Sequence, residues 1–376
     1  MIDGLSAGGG AERSLLELAP RLREADVDLA VAYFEERPES AAPALVSLGV
    51  PVRRIESGSR PGRLRAVRRL IRSGGFDVVH TTLFEADVIG RLAAVATRAR
   101  VISSYVNTSY DLGRDRNPEA AAWKLRMVQV VDGITARHLL ALVHANSQSV
   151  KESIVRHLGL DPDKVVVVMR SRAPSRVPGR DSERRRLIRA ELGIDAATPV
   201  LLTVGRNEHQ KDQVSAVRAL AAVRAAHPGA VLLIAGKEGA TTADLRSAIE
   251  DLGLVDAVQL LGHRDDVPDL HQAADVFVFP TLFEGMPGAV IEAMAMGTPI
   301  VASDIGPVRE LVDETMARLV PPADPPALAA AIVETLDRPE TAEARASRAR
   351  RRYLDAFTGE AAVAGMVALY RQALAG

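Results

Sequence analysis

The chain contains no cysteine, which excludes disulfides and thiolate metal centres and leads us to expect a reducing compartment, the cytoplasm. Aromatic residues make up only 3% of it, too few for a series of base-stacking platforms. Net charge is also small, −1 at pH 7, so no broad basic field points to nucleic acid. Long apolar runs are missing too. None approaches the ~18 residues that span a bilayer, and no basic segment followed by a hydrophobic stretch opens the chain, so a soluble protein is expected. Its 376 residues suit two domains of ordinary size better than one core.

Arginine is plentiful in two places. Arg60 to Arg72 reads RPGRLRAVRRLIR, and Arg170 to Arg189 holds eight arginines. Either stretch can be read as a solvated helix or linker face, or as a peripheral contact with anionic lipid headgroups at the inner membrane face.

From Val27 onward, short apolar runs alternate with helix-length segments: VDLAVAY, PVRRIE, FDVVHTT, VISSYVN, ALVHANS and KVVVVM. A second series follows, with PVLLTVG, AVLLIAG, AVQLLG, DVFVFP and PIVAS. This alternation predicts βαβ units and two parallel sheets, hence an α/β fold. The run MRSRAPSRVPGRDS (169–182) is polar and rich in Pro, Gly and Arg, and is expected to link the two halves. Beyond about Pro325 the pattern is helical to the end.

The most informative stretch runs from Phe283 to Met294, FEGMPGAVIEAM. It follows a buried-type strand and sets Glu284 in a loop and Glu292 about one turn inside a helix. Pro287 is expected at the first helical position, with Gly297 and Pro299 stopping the helix. Both carboxylates can then face one pocket, and the amides of Gly285, Met286, Pro287 and Gly288 lie where a helix N-terminus favours an anion. The same residues also read as a strand end, a solvated helix glutamate and turn glycines. Arg206 and Lys211 in VGRNEHQK stand at the end of another strand, where two cations suit a departing diphosphate. They too can be read as solvated loop cations.

The block FEGMPGAVIEAMAMGTPIVASD resembles the E-x7-E region of family 4 retaining glycosyltransferases, and VGR-x4-K resembles that family's phosphate-binding pair. The segments LGHRDDV (261–267) and GLSAGGGAE (4–12) agree in order, so the resemblance covers nearly the whole chain. It implies the GT-B fold, two facing Rossmann-like domains with parallel sheets and a cleft between them. The expected boundaries are residues 1–172, 183–355 and a C-terminal helix, 356–376, that crosses back to the first domain. It implies transfer of a sugar from a nucleotide diphosphate sugar to an acceptor hydroxyl with retention, without cofactor or metal. Under it Arg206 and Lys211 hold the diphosphate, Glu284 the sugar hydroxyls and Glu292 the ribose. Gly9 and Gly10 close on the donor, and His263 lies in the segment beside the base.

The chain departs from the family's pattern at three places. Only Met1, Ile2 and Asp3 precede the glycine loop, so the first strand is expected to be short or missing and the first sheet to have an exposed edge, or the start to be late. No histidine stands in SSYVNTSY (103–110), where many relatives carry one against the sugar; Asn107 is the expected substitute and His80 the other polar candidate. Met169-Arg170-Ser171-Arg172 stands where the family commonly has N-G-V-D. A non-catalytic nucleotide-sugar binder and a nucleotide-sugar epimerase on the same fold are the alternatives. A dinucleotide oxidoreductase lacks its G-x-G-x-x-G turn.

Overall fold

Runs of Val, Ile and Leu that are apolar on both faces can only be buried between helices, and in the computed structural model they are. The structure describes residues 1–5, 10–37, 40–107, 110, 122–172 and 181–376. Two units divide the chain, one formed by Met1–Ser171 with Gly359–Gly376, the other by Arg172–Thr358.

In the first unit the strands are β1 (Ile2–Leu5), β2 (Val31–Glu36), β3 (Val52–Arg54), β4 (Val78–Thr82), β5 (Arg100–Tyr105), β6 (Leu142–Ala145) and β7 (Val165–Val167). They form a parallel sheet in the order β3-β2-β1-β4-β5-β6-β7. The connecting helices are α1 (Gly10–Glu24), α2 (Ala42–Ser47), α3 (Arg60–Gly74), α4 (Phe84–Ala94), α5 (Ala122–Leu139) and α6 (Gln148–Leu158). The first strand is short but present, and it corrects the expectation of an exposed edge. β1 lies in the middle of the sheet, with Ile2 paired to Tyr33 on one side and to Thr82 on the other.

The second unit opens with α7 (Ser182–Glu191) and continues through β8 (Val200–Val204), α8 (Gln213–Ala226), β9 (Val231–Ala235), α9 (Thr242–Asp251), β10 (Val258–Gly262), α10 (Val267–Ala273) and β11 (Val276–Phe279). It ends with α11 (Gly288–Met296), β12 (Ile300–Ser303), α12 (Gly306–Arg309), β13 (Arg318–Val320), α13 (Pro325–Asp337) and α14 (Pro339–Ala356). Its six strands are parallel in the order β10-β9-β8-β11-β12-β13. Leu201, Val217, Leu220, Ile234, Val276 and Val301 belong to its core. β13 was not anticipated, because three residues beginning with an arginine carry no buried-strand signal.

The last helix, α15 (Gly359–Ala375), packs in the first unit. Its Val363, Met366, Leu369 and Ala373 join Leu22 of α1, Ile102 of β5 and Leu142 of β6 in one cluster. In each sheet the strand order reverses direction beside the first strand, between β1 and β4 and between β8 and β11. Open parallel sheets bind ligands beyond the carboxyl ends of the strands at such reversals.

Candidate functional site

The loops after β8 and β11 meet at that reversal in the second unit. Gly205 and Gly236 bring two strand ends so close that a Cβ on Gly236 would lie 1.8 Å from the Gly205 carbonyl oxygen, which only glycine permits. Gln213 Nε2 donates to that carbonyl at 2.8 Å, and the Asn207 amide donates to Lys237 O at 3.0 Å. The backbone around Arg206 is thus fixed while its side chain remains 63% exposed, 3.8 Å from Glu208.

Lys211 ends a single 3₁₀ turn, His209–Lys211. The Leu282 amide and the Thr281 hydroxyl donate to Gln210 O at 2.9 and 2.8 Å, and Gln210 Nε2 donates to Phe283 O at 2.8 Å. These bonds stitch the β8 loop to the β11 loop. They bring the Lys211 ammonium onto Glu284 Oε1, and Thr281 Oγ1 lies 3.1 Å from the same oxygen, its one hydrogen shared with Gln210 O. Glu284 is buried, so its charge needs these partners. The Lys211 nitrogen also lies 5.3 Å from the centre of the Phe279 ring.

The second carboxylate has a different partner. Arg172 Nε lies 3.3 Å from Glu292 Oε1, and both side chains are almost wholly buried. Arg172 is held in place by its own backbone: the Tyr353 hydroxyl donates to its carbonyl at 2.8 Å, and its amide donates to Phe357 O at 3.3 Å. Its guanidinium also covers the first turn of α11, where a Cβ on Gly288 would come within 2.8 Å of Nε. Pro287 is the N-cap of α11 and not its first helical residue, which corrects that expectation; no side chain caps the helix there. Gly297, with φ +67°, ends α11 as expected. Met286 is buried.

Two models describe the halves of the chain. The model of "Glycosyl transferases group 1" matches residues 184–352, and that of a "Glycosyl transferase 4-like domain" matches residues 9–170. A D-inositol 3-phosphate glycosyltransferase 2 of Catenulispora acidiphila is 30% identical, over 89% of this chain and 84% of that protein. The D-inositol 3-phosphate glycosyltransferase of Salinispora arenicola is 28% identical over 99% and 89%. The chain belongs to the group 1 glycosyltransferases. Its fold is GT-B: Anabaena HepE in complex with UDP superposes with TM-score 0.83 at 22% identity, covering 98% of this chain and 97% of that one. Sucrose-phosphate synthase from Thermosynechococcus elongatus gives 0.79 at 23%, covering 99% and 96%.

Within this glycosyltransferase the expected residues fall into two sets. Arg206, Lys211, His263, Gly285 to Gly288, Glu284 and Glu292 all belong to the second unit, and the structure joins Lys211 to Glu284 directly. His263 follows β10, half-exposed, 3.3 Å from Asp265. Gly9 lies outside the described residues, Gly10 opens α1, and Asn107 follows β5, half-buried. Arg172 was missed as a site residue. The sequence marked its segment only as a departure from the family pattern.

His80 lies in a buried hydrogen-bonded chain of the first unit. His144 Nε2 is 2.9 Å from Val168 O, which can only accept, so His144 Nδ1 accepts from the Ser104 hydroxyl at 2.6 Å. Ser104 Oγ then accepts from His80 Nε2 at 2.6 Å, and His80 Nδ1 accepts from the Tyr370 hydroxyl at 2.9 Å. Both imidazoles are neutral in this chain, and burial pushes the pKa of each below the ordinary histidine value.

Proposed function

We propose that this group 1 glycosyltransferase takes its sugar from a nucleoside diphosphate sugar and passes it to a hydroxyl acceptor with retention of configuration. The observation that carries this reading is the Lys211–Glu284 pair at the reversal between β8 and β11. In the reaction the bond from the sugar's anomeric carbon to the diphosphate oxygen breaks, a bond to the acceptor oxygen forms, and the acceptor's proton passes to the departing phosphate. Charge grows on that phosphate, and Lys211 and Arg206 are the cations preorganised to meet it without a metal. Glu284 orients sugar hydroxyls, Glu292 the ribose, and the amides of Gly285 to Gly288 face the phosphates. Asn107 and Gly9–Gly10 serve the sugar and acceptor side.

Titration with UDP is the first test, because HepE is seen in complex with UDP and with UDP-glucose; inositol phosphates are the first acceptors to try, because the curated relatives are named for one. A nucleoside diphosphate at 100 times its Kd should add about 2.7 kcal/mol to stability. Turnover should survive excess chelator. Absence of stabilisation by any nucleoside diphosphate would refute the donor, and activity lost to chelator and restored by Mg or Mn would refute the metal-free step.

A further inference from the structure

An unusual helix in the first unit is α5, which turns its apolar stripe outward. Trp123, Met127, Val130, Val131 and Ile134 recur at i, i+4, i+7, i+8 and i+11, spanning about 100° of the helix. All five are exposed, Trp123 at 63% and Met127 at 54%. The opposite face is buried from Asp132 onward, with Gly133 and Ala136, while nearer the helix start Leu125 on that face is exposed as well. Asp132 is the only carboxylate on the helix, and it bonds Arg91 Nη1 at 2.6 Å. The charged groups exposed on α5 are therefore all basic. Lys124 flanks the stripe on one side, its nitrogen 5.7 Å from the centre of the Trp123 ring, and Arg126 lies on the other beside Arg137, which donates to Leu158 O at 2.9 Å. α4, packed beside α5, adds exposed Leu92, and exposed Val95 follows its last residue.

We propose that α5 is a docking face for an anionic lipid surface, lying in the headgroup layer with its apolar stripe inserted. An interfacial helix needs this combination: an apolar arc with a tryptophan at its edge, and lysine and arginine on the rims to meet lipid phosphates. The charge pattern disfavours a second copy of the chain, because a twofold contact would set one all-basic rim against another. The two arginine-rich stretches, read from the sequence as solvated faces or as lipid contacts, are partly committed elsewhere. Arg63 pairs with Glu85 at 2.9 Å, Arg68 donates to Leu92 O at 2.7 Å, and Arg185 and Arg189 hold Asp275 at 2.5 and 2.8 Å. The lipid contact therefore moves from those stretches to α5, a helix of the first unit.

The chain's one tryptophan lies in the stripe, so its fluorescence reads insertion directly. The intact protein should co-sediment with vesicles of phosphatidylcholine mixed with phosphatidylglycerol, its Trp123 emission should shift to the blue, and brominated acyl chains should quench it. Pure phosphatidylcholine should do much less, since each rim cation contributes on the order of fivefold to binding an anionic surface. Met127→Asp and Ile134→Asp should abolish the shift while leaving the melting temperature and UDP affinity unchanged, both sites being exposed. No shift with either vesicle would overturn the proposal. Equal binding to both lipids would remove its electrostatic half, and a concentration-dependent dimer that buries Trp123 and is lost in Ile134→Asp would replace lipid by a second copy.

Discussion

At the scale of the residue, the two carboxylates of the E-x7-E block have different local chemistry. Glu284 is paired to Lys211 and Glu292 to Arg172, so each buried charge is balanced before any ligand arrives. Glu292→Gln is expected to weaken nucleoside diphosphate binding by about 1.5 to 3 kcal/mol, through loss of a charge-assisted hydrogen bond. Glu284→Gln should leave that affinity nearly intact and lower turnover on the order of 10²-fold, because its contact strengthens as positive charge develops on the sugar. Calorimetry with the nucleotide and turnover at saturating donor separate the two, and equal losses of affinity would contradict the division. Arg172→Gln gives the matching measurement on the partner. If Arg172 positions Glu292, this variant should raise the nucleotide Kd as Glu292→Gln does, and the double variant should cost less than the sum. The glutamates were legible in the sequence because loop, turn and helix signals cluster within a dozen residues. The Arg172 partnership was not, since its two residues lie far apart in the chain and only the fold joins them.

At the scale of the element, legibility followed burial. PVLLTVG, AVLLIAG and DVFVFP announce β8, β9 and β11 because strands covered on both faces have almost no polar positions. In α5 the same periodicity misleads, since a 3.6-residue apolar repeat looks alike whether it faces a core or solvent, and only the buried Asp132 and Gly133 on the other side decide. The hydrogen-bonded chain from Tyr370 through His80, Ser104 and His144 to Val168 was equally hidden, because it ties α15 to three separate strands. It predicts a pH dependence. Both histidines titrate lower in the folded unit than their unfolded value of about 6.5. The unfolded chain therefore binds more protons below that pH, and stability should fall as pH drops from 6.5, by up to about 1.4 kcal/mol per pH unit for each histidine. Denaturant titrations of wild type and His80→Gln between pH 7.5 and 5 should show a shallower slope in the variant. Parallel slopes would mean that His80 is not one of the groups responsible.

At the scale of the whole molecule, the chain returns to its beginning: α15, the last helix, completes the core of the first unit, while the second unit closes around its own cluster. The resemblance anticipated such a return, but helical periodicity alone gave no reason to choose between the two units, because Val363, Met366 and Val367 suit packing in either. The observed core makes the consequence specific. Leu369 is 1% exposed and shares its cluster with Leu22, Ile102 and Leu142, so Leu369→Ala should destabilise the first unit by about 2 to 5 kcal/mol, through the loss of buried side-chain carbons plus a cavity. None of its cluster partners belongs to the second unit. Hydrogen exchange of the variant should therefore lose protection in α1, β4, β5 and β6, some 200 to 350 residues before the substitution, and keep it in β8, β9 and β11, which are nearer in sequence. Protection lost equally in both sheets would show that the units open together, and loss confined to β8 through β12 would mean that α15 packs on the unit it follows.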